Sequence, residues 1–338
     1  MLVAVAALAL AGCGGGGQPA DQEGGPDEVS IVISGVSLTQ GHLLYAVAAD
    51  TFQRQDIDVE FTSVAGTSPA LATLLSGDAD VIGLGASAVV NAVSEGADLV
   101  MLGAGAGSSL AVVVRPEVVT ASGIGPDAPL AERVEALRGL DIATATPGSA
   151  TEAFLRALLR QHGIDPERDV NLVNISDFGS APAGLRAGQY DAIAHVMGFG
   201  LEGNIVDGTG TKWISMAEGD AAELDGLMTV TVSTRQWADA NPDLAQRTFA
   251  ALAEADQALR ADPDAFRDRL REGMFADTDP ATFDTGFAIA SKSWYEGALV
   301  PRPAFDQLIR MQSADLGEDL SDLSYDDIVA SWAQGESP

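Results

Sequence analysis

The sequence is poor in basic residues. It carries 18 Lys and Arg against 49 Asp and Glu, which gives a formal net charge of -31, and Lys212 and Lys292 are its two lysines. Phosphate contacts need clustered Lys and Arg, so this balance excludes a general nucleic-acid-binding protein. An acid excess fits a saline habitat or a GC-rich genome. It affects solubility and does not determine the fold.

Cysteine and histidine are also scarce. Cys13 is the one cysteine, and His42, His162 and His195 are the three histidines. The sequence therefore offers no His/Cys cluster for a metal, and its glycine-rich loops follow neither the Walker nor the dinucleotide-binding spacing. We expect no metal, no cofactor and no catalytic residues.

The N-terminus carries an apolar run that is too short to span a bilayer, from Leu2 to Ala11, followed by Gly12, Cys13 and a run of glycines. This segment resembles a bacterial lipoprotein signal, although no Lys or Arg precedes the apolar run. The resemblance implies a signal peptide over residues 1–12 and a lipid anchor on Cys13. Residues 13–28, rich in Gly, Pro and Asp, are predicted to form a flexible tether. We expect a lipid-anchored protein on the extracytoplasmic face of the cell membrane.

One phrase occurs twice in the remaining sequence. Leu-Leu-Ser-Gly-Asp-Ala-Asp-Val-Ile ends at Ile82, and Leu-Arg-Ala-Gly-Gln-Tyr-Asp-Ala-Ile ends at Ile193. Each copy is typical of a helix that ends at a glycine, followed by an acidic turn and a strand. The loop after such a strand lies where open α/β sheets bind ligands. At 338 residues and 46% hydrophobic, the chain is long enough for two such lobes.

The order of the predicted elements indicates an α/β protein with two lobes. Strands alternate with helices over residues 29–115, and a second unit over residues 116–226 begins in the same manner. A strand at 227–233 then leads into helices over 242–260, 263–274, 280–297 and 302–316. We assign residues 29–115 and 227–338 to lobe I and residues 116–226 to lobe II, joined by a hinge and completed by a C-terminal helical return.

Several short stretches, taken in order and spacing, resemble one protein family. They are Gly41-His-Leu-Leu-Tyr-Ala-Val-Ala48, Gly66-Thr-Ser68, the first repeat with Gly85, Leu137-Arg-Gly-Leu-Asp-Ile-Ala-Thr144, Pro147-Gly-Ser149, the second repeat and Asn241-Pro-Asp-Leu244. Over residues 29–312 the chain is similar to substrate-binding proteins of ABC importers, in the family that binds aliphatic sulfonates, taurine, nitrate and thiamine precursors. The resemblance implies a type II periplasmic-binding fold, a small-molecule solute in the cleft between two lobes, and a membrane permease as partner.

Loops that follow strands and begin helices are the candidate ligand contacts. Their free backbone N–H groups and the helix field suit an anion or a polar head group, although the same hydroxyls can serve as ordinary N-caps. Phenylalanines after the lobe II strands would add flat apolar walls. The candidates are Ser37, Gln40, His42, Gly66, Thr67, Ser68, Ala86, Ser87, Gly148, Ser149, Ala150, Thr151, Phe178, Ser180, Met197 and Phe199.

The chain departs from the family at the loop after the second repeat. Family members often carry a Trp beside an acidic residue there, whereas this chain has His195-Val-Met-Gly-Phe199. None of the candidate loops carries an obvious Arg, the residue that commonly holds a sulfonate or carboxylate. These features favour a ligand held by backbone dipoles, or a neutral heteroaromatic ligand.

Three interpretations of function remain open at the level of sequence. The first is a monomeric solute receptor that delivers its ligand to an ABC permease. The second is a sensory or partner-binding lipoprotein on the same fold. The third is an enzyme similar to a thiamine-pyrimidine synthase, which would need a carboxylate pair in the cleft. The repeated Asp80 and Asp191 are better explained as turn residues, so we expect the solute receptor.

Overall fold

The structure is a computed structural model that describes residues 25–176 and 178–335. The predicted signal peptide (1–12), Cys13 and the tether up to residue 24 lie outside the described residues. No helix among the described residues is both long and apolar enough to cross a membrane.

The strands form two five-stranded sheets and one two-stranded sheet in the part of the chain that the structure describes. In chain order they are β1 (Asp27–Ile33), β2 (Ile57–Ser63), β3 (Val81–Gly85), β4 (Leu99–Ala104), β5 (Ala111–Val114), β6 (Asp141–Thr144), β7 (Asn171–Asn174), β8 (Ala192–His195), β9 (Thr211–Ser215), β10 (Thr229–Thr234), β11 (Val300–Pro301) and β12 (Gln334–Gly335).

Helices cover the sheets and make up most of the C-terminal third. They are α1 (Gly41–Ala48), α2 (Thr51–Arg54), α3 (Thr67–Ser76), α4 (Ala86–Ser94), α5 (Pro116–Ser122), α6 (Leu130–Glu135), α7 (Ala150–Gln161), α8 (Ala181–Arg186), α9 (Leu201–Val206), α10 (Arg235–Ala240), α11 (Pro242–Ala261), α12 (Pro263–Gly273), α13 (Pro280–Ala290), α14 (Arg302–Leu316) and α15 (Tyr325–Ile328).

The two large sheets have the same topology. The lobe I sheet has the order β2-β1-β3-β10-β4, and the lobe II sheet has the order β7-β6-β8-β5-β9. In each sheet four strands run in the same direction, and the fourth strand in the order is antiparallel to both of its neighbours. The antiparallel strand of each lobe comes from the chain segment next to the other lobe, so the chain crosses between the sheets twice.

The sheet pairing corrects one predicted boundary. The sequence predicts lobe I over residues 29–115, but β5 pairs with β8 and β9 in the lobe II sheet. The chain therefore enters lobe II between β4 and β5, one strand before residue 115. A buried apolar strand without alternation fits either sheet, so its sequence does not specify the partner.

The repeated phrase has the same structural role in both lobes. Gly77 at the end of α3 and Gly188, directly after the C-cap Ala187 of α8, have positive φ angles of 82° and 69°, as expected for glycines that end helices. The repeated aspartates each bind the backbone of a strand 50 residues earlier: Asp80 Oδ2 accepts from Ser30 N at 2.9 Å, and Asp191 Oδ2 accepts from Asp141 N at 3.1 Å. The carboxylates thus fasten β3 to β1 and β8 to β6.

The C-terminal helices bridge the lobes. Helix α11 packs on α1 and β4 of lobe I, α13 packs on α9 of lobe II, and α14 contacts both α4 and α7. The helix predicted over 280–297 ends at Ala290, because the chain then turns back to place Trp294, whose indole N–H donates to Leu38 O at 2.8 Å. The C-terminal helical return therefore contacts both lobes and connects them.

Candidate solute-binding cleft

A cavity of about 380 Å³ lies between the two lobes. It opens at the carboxyl ends of the parallel strands of both sheets, where open α/β folds bind ligands. Its volume is in the range of sites for small organic molecules. The described lining residues are Ser34, Gly35, Ser37, Thr39, Gln40, Ser63, Val64, Ala65, Gly66, Thr67, Gly85, Ala145, Thr146, Ser149, Ala150, Thr151, Ile175, Ser176, Phe178, Gly179, His195, Val196, Phe199, Met228 and Thr229.

The lobes touch at the rim of this cavity, and glycines make the contacts possible. A Cβ added at Gly198 of lobe II would lie 2.5 Å from Leu38 N of lobe I. A Cβ at Gly35 would lie 3.2 Å from the Phe199 ring, and one at Gly85 would lie 3.0 Å from Ala150 Cβ. At these three glycines the lobes are in direct contact, an arrangement that we term the closed form.

The turn before α1 is tied to the strand that returns from lobe II. The Oγ atoms of Ser37 and Thr39 are 2.7 Å apart and form a hydrogen bond. Thr229 Oγ1 donates to Thr39 O at 2.8 Å and accepts from Ala106 N at 3.0 Å. Gln40 Oε1 is buried and has no hydrogen-bond partner among the described residues. That oxygen lies against Gly83 in β3, where an added Cβ would clash with it.

Two longer helices begin at the cavity, one from each lobe. Helix α3 starts after Gly66, whose lack of a side chain leaves the first N–H groups of the helix without a side-chain cap. Helix α7 starts after Ser149, whose Oγ accepts from Glu152 N at 3.3 Å. Ser149 therefore is an N-cap and also lines the cavity. These helix starts create a positive field inside the cleft.

Three rings of lobe II form what we term the aromatic wall, namely Phe178, His195 and Phe199. The ring centroids of Phe178 and His195 are 3.8 Å apart, and those of His195 and Phe199 are 4.7 Å apart in an edge-to-face arrangement. Burial lowers the pKa of His195 to about 3. The imidazole is therefore neutral at physiological pH.

The cavity is uncharged within the described residues. None of its described lining residues is Asp, Glu, Lys or Arg. The described residues also contain no group of three or more His, Cys, Asp or Glu that could hold a metal ion. Selectivity in this part of the cleft therefore depends on hydroxyls, one amide, one neutral imidazole, helix dipoles and apolar contact.

Glu202 supports the loop that carries Gly198 and Phe199. Its side chain is buried, and its two carboxylate oxygens lie 3.2 and 3.3 Å from Gly198 N. Burial raises the pKa of Glu202, while backbone N–H groups of the same loop partly oppose that rise. The carboxyl group lies behind the loop and is not part of the described lining.

The structure brings many of the predicted contact residues together. Those that line the cavity are Ser37, Gln40, Gly66, Thr67, Ser149, Ala150, Thr151, Phe178 and Phe199. Those that do not line it are His42, Ser68, Ala86, Ser87, Gly148, Ser180 and Met197. His42 points into lobe I instead, where Nε2 lies 3.5 Å from Asp256 Oδ1 on α11.

Sequence reasoning did not select Thr39, Thr229 or His195. Thr229 lies 190 residues from Thr39 along the chain, so only the fold brings it to the cleft. His195 is the last residue of the strand of the second repeat. The loop that begins there is predicted to lie where open α/β sheets bind ligands, so this position had a local signal. Thr39 lies between two candidates and had no signal of its own.

Comparison with known proteins agrees with this description. The chain matches the NMT1-like family over residues 33–271. No curated protein matches it. Three solved structures with similar folds are binding proteins by name.

The periplasmic aliphatic sulphonate binding protein SsuA of Escherichia coli is 16% identical with a TM-score of 0.65, covering 90% of this chain and 95% of that one. The alkanesulfonate-binding protein SsuA of Xanthomonas axonopodis pv. citri, bound to MOPS, is 21% identical with a TM-score of 0.64, covering 93% and 100%. The nitrate-binding protein NrtA of Synechocystis PCC 6803 is 15% identical with a TM-score of 0.57, covering 91% and 92%.

At these identities the structural similarity shows the fold alone. It confirms the predicted α/β fold of periplasmic binding proteins with two lobes. The sequence match extends over more than half of the chain, from the end of β1 into α12. The chain therefore belongs to the NMT1-like family.

Proposed function

We propose that the protein is the solute-binding component of an ABC importer. The observation that carries this proposal is the closed cavity between two lobes, which is lined by helix starts from each of them and whose described lining residues carry no charge. The names of the proteins with similar folds, which bind sulphonates, alkanesulfonates and nitrate, support it. The solute would be a small organic molecule with an anionic or strongly polar group.

The proposed mechanism is lobe closure around the solute. A ligand shifts a two-state equilibrium only if it binds one state more tightly than the other. A solute that contacts Thr67 of lobe I and Thr151 of lobe II at once makes both contacts only in the closed form. The closed form is then presented to a permease, and opening of the lobes there releases the solute.

The proposed membrane attachment is a lipid on Cys13. Two or more acyl chains on one residue would hold the protein stably at the extracytoplasmic face of the membrane. Expression in a bacterium with radiolabelled palmitate tests this directly. We expect label and membrane association in the wild type and neither in Cys13→Ser. Equal membrane association of both proteins would contradict the anchor.

A thermal-shift screen of the Cys13→Ser protein tests the binding function. The panel is taurine, alkanesulfonates, nitrate, aromatic acids and aminopyrimidines. Saturable stabilisation by one class is expected, because a ligand that binds only the folded state raises its stability. No shift with any class, at low and high salt, would contradict the solute receptor and favour the partner-binding lipoprotein.

A matched pair of variants connects any shift to the cleft. Thr151→Val removes a hydroxyl from the cavity wall within α7, whereas Thr120→Val removes one from the exposed face of α5. We expect Thr151→Val to weaken binding roughly tenfold, as loss of one hydrogen bond does, and Thr120→Val to leave it unchanged. Equal affinities in the two variants would place the ligand elsewhere.

A further inference from the structure

The aromatic wall indicates which kind of solute fits the cavity, because it offers a flat apolar surface to a ring. Its three rings are in contact and all three line the cavity. Phe199 also packs against Gly35 of lobe I, where an added Cβ would lie 3.2 Å from the ring. The wall is therefore completed when the lobes close, which is when a solute is held.

His195 is the polar member of the wall. The residue is 6% exposed, and its Nδ1 lies 3.4 Å from Val196 O. A backbone carbonyl accepts hydrogen bonds, so this contact assigns the proton to Nδ1. In that tautomer Nε2 is an acceptor, and no hydrogen bond joins it to the described residues. An unpaired acceptor on the cavity wall can take a hydrogen bond from a donor group of the ligand.

The other polar groups of the cavity suit the opposite kind of group. The start of α3 has no side-chain cap, so its first N–H groups offer hydrogen bonds to an anionic group, with Ser and Thr hydroxyls beside them. The described lining holds no Arg or Lys, so a single negative charge bound there would be held by dipoles. The N–H groups at the start of α3 and the nearby hydroxyls can thus donate hydrogen bonds to one end of the ligand. His195 Nε2 can accept a hydrogen bond from the other end.

We propose that the solute is a single-ring aromatic or heteroaromatic acid whose ring lies against the aromatic wall and carries an N–H or O–H group that donates to His195 Nε2. Its carboxylate or sulfonate is held by the start of α3. This inference rests on the proposed solute-binding function and gives it a ligand class. Unsubstituted straight-chain sulfonates lack both the flat face that pairs with the rings and a donor for His195 Nε2, and taurine has a donor but no ring.

Calorimetric titration of the Cys13→Ser protein tests the ligand class with three sets of probes. The first set is the hydroxybenzoates and aminobenzenesulfonates, which have a ring and a donor. The second is benzoate and benzenesulfonate, which have a ring alone. The third is cyclohexanecarboxylate, ethanesulfonate, taurine and nitrate, which have no aromatic ring. We expect at least one member of the first set to bind roughly tenfold tighter than its parent in the second set.

Two variants test the role of His195. His195→Phe keeps an aromatic ring and removes the acceptor, so the preference for the donor-bearing compound should fall to near one while the parent compound still binds. His195→Gln keeps an acceptor and should retain part of the preference. The thermal midpoint of each variant shows whether it folds, and His195→Gln alone decides the matter if His195→Phe does not.

The outcomes separate this inference from the function on which it rests. Saturable binding of taurine, nitrate or ethanesulfonate, with no aromatic acid binding more tightly, would overturn the ligand class and leave the solute receptor intact. An unchanged preference in His195→Phe would overturn the role of His195. Failure of every probe to bind would overturn both the class and the receptor.

Discussion

Gly198 is the residue on which closure depends most directly. Its φ angle is +109°, and a Cβ there would lie 2.5 Å from Leu38 N across the cleft. Both the backbone conformation and the contact exclude a side chain, but only the contact differs between open and closed forms. We expect Gly198→Ala to raise the Kd for the solute at least tenfold, a change of about 1.4 kcal/mol, by calorimetric titration.

Gly219→Ala is the matched control for that substitution. Gly219 has a similar φ angle of +99°, but nothing lies within 4 Å of its added Cβ. Both variants are expected to lose some stability from backbone strain, and only Gly198→Ala is expected to lose affinity. Equal affinities in the two variants would show that the lobe contact at Gly198 does not form in the bound state.

Asp256 is a buried carboxylate on α11 of lobe I, with a side chain that is 5% exposed. Burial alone would raise the pKa of Asp256, but His42, Arg260 and the Gly297 N–H outweigh it and hold the pKa below its ordinary value. A carboxylate with a lowered folded-state pKa contributes stability above the unfolded pKa of about 4 and loses it as the pH falls through the folded value.

Asp256→Asn is therefore expected to cost about 2 kcal/mol in free energy of unfolding at pH 7, and less at pH 3. Urea unfolding at the two pH values measures the difference. Asp243→Asn is the control, because Asp243 is 84% exposed and its ion pair with Arg247 lies at the surface. An Asp256→Asn cost that does not depend on pH would contradict the assigned pKa direction.

His42 and Thr229 show what the sequence could and could not specify at single residues. Ser149 and Thr67 could be predicted at the cleft because each lies in a loop that follows a strand, and the order of strands and loops can be read from local sequence. His42 begins α1 as expected, yet its ring faces Asp256, and the direction of a side chain on a helix depends on which face packs. Thr229 reaches the cleft through sheet pairing, which no local pattern encodes.

At the scale of elements, the side chain of Ser108 links the two crossings between the lobes. Ser108, in the crossing from β4 to β5, donates from Oγ to Leu224 O at 2.7 Å and accepts from Gly226 N at 2.9 Å. Leu224 and Gly226 belong to the crossing from β9 to β10. Because Ser108 is buried, we expect Ser108→Ala to lower the free energy of unfolding by about 1–3 kcal/mol in urea unfolding.

The neighbouring serine supplies the control for that prediction. Ser109 Oγ is also buried but has no hydrogen-bond partner among the described residues. Ser109→Ala removes an unpaired polar atom, so it is expected to be neutral or slightly stabilising. A larger loss in Ser109→Ala than in Ser108→Ala would contradict the assignment of Ser108 as the link between the crossings.

The repeat was the element-level pattern with the most predictive value. Its glycine and aspartate fixed the helix end and the strand start in both lobes, because each has a local physical cause. Strand β5 was placed in the wrong lobe for the complementary reason. Its residues are apolar on both faces, as a buried strand of either sheet would be.

At the scale of the whole molecule, the formal charge of -31 opposes the compact state. Like charges repel more strongly in a folded protein than in an extended chain, and salt screens the repulsion. We expect the thermal midpoint to rise between 0.05 and 1 M NaCl. A midpoint that falls over this range would show that the surface ion pairs contribute more than the repulsion among the excess acids.

Small-angle X-ray scattering tests closure of the two lobes on a solute most directly. The Cys13→Ser protein is measured alone and with a saturating amount of a compound that binds in calorimetry. The radius of gyration is expected to fall on binding, and the scattering of the bound form should match the closed structure, with a smaller change in Gly198→Ala. Identical curves with and without a compound that binds would contradict lobe closure as the mechanism.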